Sequence, residues 1–142
     1  MRIVREILDT KGRDVWSVAP EQTVFEAVKL LSDKGVGALL VMDGERLKGI
    51  VTERDYARKV ILEGRSSRET AVRDVMTTSV LCVDPEKTIQ ECMALMTDKR
   101  ARHLPVLHEE RVVGIVSIGD LVKAIIAEQQ FMIDQLQHYI TH

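Results

Sequence analysis

The chain of 142 residues is 45% hydrophobic and 30% charged, with three prolines and eight glycines. This composition excludes a low-complexity or disordered chain, and the length allows one ordinary domain or two small halves sharing a core, not a large multidomain enzyme. Twenty basic against 22 acidic residues give a formal charge of −2, so no whole-chain field draws the protein to nucleic acid or to an anionic membrane, and any anion site must be local.

Apolar runs such as Ala38 to Met42 fall far short of the roughly 20 residues that cross a bilayer, and Met1 to Glu6 lacks the apolar stretch of a signal peptide. A cytoplasmic protein is expected. Cys82 and Cys92 stand ten apart without a C-x-x-C pairing, which fits two buried thiols better than a disulfide framework or a zinc site.

One internal offset organises everything else. A shift of 65 carries Val18 to Val83, Pro20-Glu21 to Pro85-Glu86, Thr23 to Thr88, Asp33-Lys34 to Asp98-Lys99, Gly49-Ile50-Val51 to Gly114-Ile115-Val116, and Asp55 to Asp120. From Val15 to Ile61 it gives about eighteen identities in roughly forty-seven positions without a gap, which marks a tandem duplication.

In chain order, each unit opens on a short apolar segment, Val15 to Val18 or Val80 to Val83, followed by a proline. Thr23-x-x-Glu26 and Thr88-x-x-Glu91 then read as capping boxes that start two helices, ending near Lys34-Gly35 and Lys99-Arg100. Two short β-runs follow, Ala38 to Met42 and Leu47 to Val51, with Asp43-Gly44 as the tight turn; the second copy has Leu104 to Leu107 and Val112 to Val116 around Glu109-Glu110. Pro105 cannot donate to a ladder, so its strand is expected at an edge or facing an opening. A last helix begins at Thr52 or Ser117. Gly64 to Ala71 reads as the linker.

The chemistry concentrates where the last strand of each unit meets its last helix, at Gly49-Ile50-Val51-Thr52-Glu53-Arg54-Asp55 and Gly114-Ile115-Val116-Ser117-Ile118-Gly119-Asp120. A hydroxyl at the strand end and a carboxylate three residues on can be a helix cap. The same geometry can hold a phosphate on free helix amides while the carboxylate accepts from ribose hydroxyls. Spacing alone leaves both open.

The duplicated β-α-β-β-α unit with G-h-h-[ST]-x-x-D at its final turn, and Val72-Arg73-Asp74-Val75-Met76-Thr77 leading into the second copy, resembles the CBS domain, named after cystathionine β-synthase. The resemblance spans roughly residues 1–127. It implies a mixed α/β (α+β) fold in which two tandem units, residues 1–66 and 67–127, form one pseudo-twofold Bateman module, with residues 128–142 as a C-terminal helical extension. It also implies two clefts binding adenosyl compounds such as AMP, ADP, ATP, S-adenosylmethionine or NAD(H), with AMP favoured and no metal.

Carried over residue by residue, the family pattern implies that Asp55 and Asp120 hold ribose, and that Thr52 and Ser117 contact ribose or phosphate. Adenine is then expected against Asp14-Val15, Thr78-Ser79-Val80, Val36-Gly37-Ala38 and Arg102-His103-Leu104. Gly119 stands where the first unit has Arg54. Arg102 and His103 align with Gly37 and Ala38, so the second unit's cleft is expected to carry the cationic donors. The cluster Lys99 to His103 also reads as a helix C-terminal charge or a nucleic-acid patch. Lys11-Gly12 is similar to a lysine-glycine of related proteins and is a candidate phosphate contact, or a solvated turn.

The final helix runs on through Phe131, Leu136 and Ile140, which suggests a homodimer contact, the alternative being packing on its own chain. His138 and His142 are four apart, a spacing that could share a metal, but the terminus offers no acidic or thiol partner. No Walker loop, G-x-G-x-x-G, H-E-x-x-H or nucleophile elbow occurs. The leading expectation is a free-standing nucleotide sensor, not an enzyme, that acts on an unidentified partner protein, without nucleic acid or membrane. The alternatives are a metal-assisted nucleotide hydrolase, disfavoured because each motif offers one carboxylate, already suited to ribose, and a structural dimerisation module with no ligand.

Overall fold

A computed structural model describes residues 2–141. The elements run α1 (Val4–Lys11), β1 (Ser17–Val18), α2 (Val24–Lys34), β2 (Ala38–Asp43), β3 (Arg46–Thr52), α3 (Glu53–Tyr56), α4 (Ile89–Lys99), β4 (His103–His108), β5 (Arg111–Ser117) and α5 (Ile118–Thr141). A π-helical turn over Ala57–Ile61 continues α3, and a 3₁₀ turn covers Val72–Asp74.

The repeat governs local structure closely. Thr23 Oγ1 accepts the Glu26 amide at 3.2 Å and Thr88 Oγ1 the Glu91 amide at 3.1 Å. Only the second copy closes the full box, its Thr88 amide donating to Glu91 at 3.2 Å; in the first, Gln22 takes the Glu26 carboxylate instead, at 2.8 Å. Both hairpins are antiparallel and carry a register shift at the same place, between Val41 and Met42 and between Val106 and Leu107. Asp43 pairs with Arg46, so the turn residues are Gly44-Glu45, one position later than the sequence suggests; Gly44 holds φ +62°. The second turn is Glu109-Glu110, as expected, with both residues at positive φ.

The copies part at their first strand. In the first, β1 pairs parallel to β2, and the Leu40 amide donates to the Trp16 carbonyl at 3.1 Å. Pro105 occupies the position of Leu40 and has no amide to give to Leu81, so pairing shrinks to one bridge, Val83 with Val106. Pro105 is therefore not on an outer edge: β4 lies between Val83 and β5, and the lost bond falls beside Leu81.

Three apolar clusters hold the chain. One gathers β1, α2, β2, β3 and the second copy's lead-in residues Val72 and Val75; another gathers α4, β4, β5, Leu121 and the residues Val4, Ile7 and Leu8 of α1. Each lead-in thus packs on the opposite unit. The Val4 amide donates to the Lys87 carbonyl and Ile89 to Arg2, while Thr77 and Ile50 exchange backbone bonds at 2.9 and 3.0 Å. The third cluster, built on Ala38, Leu40 and Ile50 with Val15, Val80, Val112 and Ile115 against it, joins the two sheets.

Of the two thiols, Cys92 is fully buried, and its pKa is pushed up to about 11, chiefly by burial; Cys82 is exposed, contrary to expectation, because it lies on the poorly paired strand segment. α5 is continuous from Ile118 to Thr141 and buries only Leu121 and Ala124, leaving Ile126, Phe131, Met132, Leu136 and Ile140 exposed. Among the described residues no helix is long and apolar enough to cross a membrane.

Candidate functional site: two crossed clefts

Because the lead-ins cross, each cleft is assembled from both units. The cleft at Asp55, of about 470 Å³, is lined by Thr52, Glu53, Arg54 and Asp55 of the first unit and by Thr77, Ser79, Val80, Leu81 and the run Lys99 to His103 of the second. The cleft at Asp120, of about 390 Å³, takes Ser117 and Asp120 from the second unit and Lys11, Gly12, Asp14, Val15, Trp16 and the run Gly35 to Ala38 from the first. Both volumes lie within the range of small-molecule pockets.

This arrangement corrects the expected pairing. Arg102 lines the cleft of Asp55, not that of Asp120. His103 lines both, its Nε2 3.4 Å from where a Cβ on Gly37 would stand, so His103 and Gly37 form a shared wall. Thr78 is exposed and lines neither cleft, Leu104 is fully buried, and Gly119 also lines neither.

At both strand ends the hydroxyl and carboxylate form a complete cap. The Thr52 amide donates to Asp55 Oδ2 at 2.9 Å and the Asp55 amide to Thr52 Oγ1 at 3.2 Å; the Ser117 amide donates to Asp120 Oδ2 at 2.8 Å and the Asp120 amide to Ser117 Oγ at 3.1 Å. The first helical amide is also taken, Glu53 donating to Gly37 at 3.3 Å and Ile118 to Arg102 at 2.9 Å. Fewer amides are therefore free for an anion than the sequence suggests: in each first turn those of Arg54 and Gly119 remain without a hydrogen bond among the described residues. The cap does not use up the carboxylates. Asp55 turns Oδ1 to Lys59 at 3.1 Å, while Asp120 shares Oδ2 with Lys11 Nζ at 2.6 Å and keeps Oδ1 open among the described residues.

The local fields differ. Burial acts to raise the Asp120 pKa, but the Lys11 hydrogen bond, the Ser117 hydrogen bonds and the Lys11 charge outweigh it and hold the carboxyl below its ordinary range. His103 is lowered, chiefly by burial, with Asp120 and Glu53 opposing and Lys11 and Arg102 assisting, so it is neutral at pH 7 and is not the cationic donor expected of it. Two carboxylates, not one, line each cleft: Glu53 with Asp55, and Asp14 with Asp120. No group of three metal-binding side chains occurs among the described residues, and His142 lies outside them.

Trp16, half-exposed in the wall of the Asp120 cleft with Lys34 Nζ 4.2 Å over its ring, was missed by sequence reasoning. Its signal was available: it directly precedes β1, beside the expected adenine segment Asp14-Val15.

The CBS domain family model matches residues 4–62 and 72–127. The chain is a CBS-domain protein. It is 40% identical over 147 residues to the mitochondrial CBS domain-containing protein CBSX3 of Arabidopsis thaliana, covering 96% of this chain and 71% of the relative. A solved putative signal-transduction protein with CBS domains from Burkholderia ambifaria is 52% identical, with a TM-score of 0.88 over 90% of this chain and 96% of that one. The CBS domain pair of protein MJ0100, solved with 5′-methylthioadenosine and S-adenosyl-L-methionine, shares the fold, with a TM-score of 0.80 at 22% identity over 90% of this chain and 98% of that one. The two tandem units and the mixed α/β architecture expected from the sequence are thus those of a CBS pair.

Proposed function

We propose that this protein is a regulatory module that binds adenosine compounds in its two crossed clefts and passes their presence to a partner protein. The observation that carries the reading is the duplicated cap: a carboxylate fixed by its own helix start lines each of two pocket-sized clefts. A carboxylate held rigid in this way is a ready acceptor for a pair of ribose hydroxyls and loses little entropy on binding. In this reading Thr52 and Ser117 fix Asp55 and Asp120 from the strand ends, and the apolar residues Val80 and Val15 supply the flat walls a base requires.

Regulation is favoured over hydrolysis because one of the two carboxylates in each cleft is already engaged, Asp55 with Lys59 and Asp120 with Lys11, which opposes the use of that carboxylate as a metal ligand. The exposed stripe of α5 supports a homodimer contact: truncation after Ala127 is expected to weaken self-association in sedimentation at tens of micromolar.

Calorimetry with adenosine, AMP and ATP tests the reading. Asp55→Asn or Asp120→Asn keeps much of each cap but is expected to weaken binding at its own cleft by roughly 1 to 3 kcal/mol, the scale of a hydrogen bond to a charged group. Absence of binding by all three compounds at millimolar concentration rejects it.

A further inference from the structure

We infer that the two clefts are specialised by ligand charge: the Asp55 cleft for a nucleoside polyphosphate and the Asp120 cleft for a nucleoside that carries no phosphate. The inference rests on the adenosine-binding reading above and assigns a different ligand class to each site.

The Asp55 cleft is lined by four cations, Arg54, Lys99, Arg100 and Arg102, against the two carboxylates Glu53 and Asp55, a net charge of +2. The guanidinium groups of Arg54, Arg100 and Arg102 form no hydrogen bond or ion pair among the described residues, and Lys99 Nζ reaches only its neighbour Asp98, at 3.6 Å. Such uncommitted guanidinium groups are suited to phosphate oxygens, which they can meet with paired hydrogen bonds.

The Asp120 cleft has one lining cation, Lys11, against Asp14 and Asp120, a net charge of −1. Lys11 is spent twice over, on Asp120 at 2.6 Å and on the Ile115 carbonyl at 2.9 Å. Where the first cleft has Arg100 and Arg102, this one has Gly35 and Gly37. Lys34, aligned with Lys99, is laid on the Trp16 ring and does not line the cleft. A phosphate placed here meets two carboxylates and no free cation, whereas an uncharged nucleoside finds an indole to pack on and the open Oδ1 of Asp120 for its ribose.

Trp16 is the sole tryptophan, so intrinsic fluorescence reports on the Asp120 cleft while calorimetry counts both. With the full chain, adenosine is expected to shift Trp16 emission saturably, and Asp120→Asn to weaken that titration roughly tenfold. ATP without added divalent cation is expected to bind once per chain without moving Trp16 emission, and to weaken at least about tenfold in the Arg100→Ala, Arg102→Ala double variant, which leaves the adenosine titration unchanged. Gly35→Arg, which places at φ +64° a residue that Arg100 already tolerates at φ +55°, is expected to give ATP a second site reported by Trp16. Two equal ATP sites in the unmodified chain, or an ATP-driven Trp16 shift abolished by Asp120→Asn, overturns the charge division and leaves nucleotide binding standing. If neither compound binds, the adenosine reading falls, and this inference with it.

Discussion

Leu40 and Pro105 sit at the same place in the two units and give opposite results. The amide of Leu40 ties β2 to the Trp16 carbonyl, whereas the proline leaves its neighbour with one bridge and an exposed Cys82. The helix ends diverge as sharply, with Gly35 and Gly37 in one copy and Arg100 and Arg102 in the other. What stays fixed is the hairpin with its bulge, the Ser/Thr-x-x-Asp cap and the glycine under the opposite lead-in. Duplication has kept what positions the carboxylate and released what surrounds it.

The two buried glycines break that equivalence most strongly. A Cβ on Gly49 would stand 2.8 Å from the Thr77 carbonyl, which is backbone paired to Ile50 and cannot withdraw, whereas a Cβ on Gly114 meets only the methyl end of Leu8, at 2.7 Å. Gly49→Ala is therefore expected to cost about 2 to 4 kcal/mol and Gly114→Ala about 1 to 2, measured by urea unfolding. Equal losses would mean that the two lead-ins are equally yielding.

The hairpin turns come next. Glu109 and Glu110 both hold positive φ, a conformation that costs a residue with a Cβ about 1 kcal/mol, while the first turn places Gly44 there. Glu109→Asn with Glu110→Gly is expected to raise stability by about 1 to 2 kcal/mol; no gain in thermal unfolding would show that the strain is relieved elsewhere.

A smaller effect separates the shared wall by pH. The folded His103 binds its proton below the ordinary value of 6.5, so as pH falls below that value the unfolded chain takes up more protons and stability declines until the folded pKa is passed. His103→Gln is expected to flatten the slope of unfolding free energy in that window, leaving the acid limb governed by the paired carboxylates, including Asp120, whose lowered pKa stabilises above about 3.8 and is lost below. An unchanged slope would place the titration elsewhere.

Smallest of all is Pro105→Leu. The regained hydrogen bond and the greater freedom of the unfolded chain nearly cancel, to within about 0.5 kcal/mol, yet the new amide is expected to resist hydrogen exchange, as is that of Leu40, which is bonded to the Trp16 carbonyl. Rapid exchange at residue 105 would show that Leu81 has moved out of reach.

These contrasts also mark what could be read in advance. Thr88-x-x-Glu91, the Glu109-Glu110 turn and the Asp55 and Asp120 caps were legible because each is closed by residues three or four apart. The crossing was not, since nothing local in Val4 to Leu8 says that they belong beside Val106 and Val116. With the crossing hidden, Arg102 was matched to the wrong carboxylate, and Lys11 gave no sign that it binds a residue 109 positions away.

That crossing also makes each half of the chain an arm and a socket that do not fit each other. Leu8 fills the hollow over Gly114, and Met76 the hollow over Gly49. A half cut free at the linker keeps an arm shaped for its sibling and a socket left open to water, so it has no complete interior of its own. Two such halves satisfy one another by exchange, as domain-swapped dimers do. The covalent linker in this chain turns that exchange from a concentration-dependent encounter into a built-in one, with an effective concentration set by a short tether.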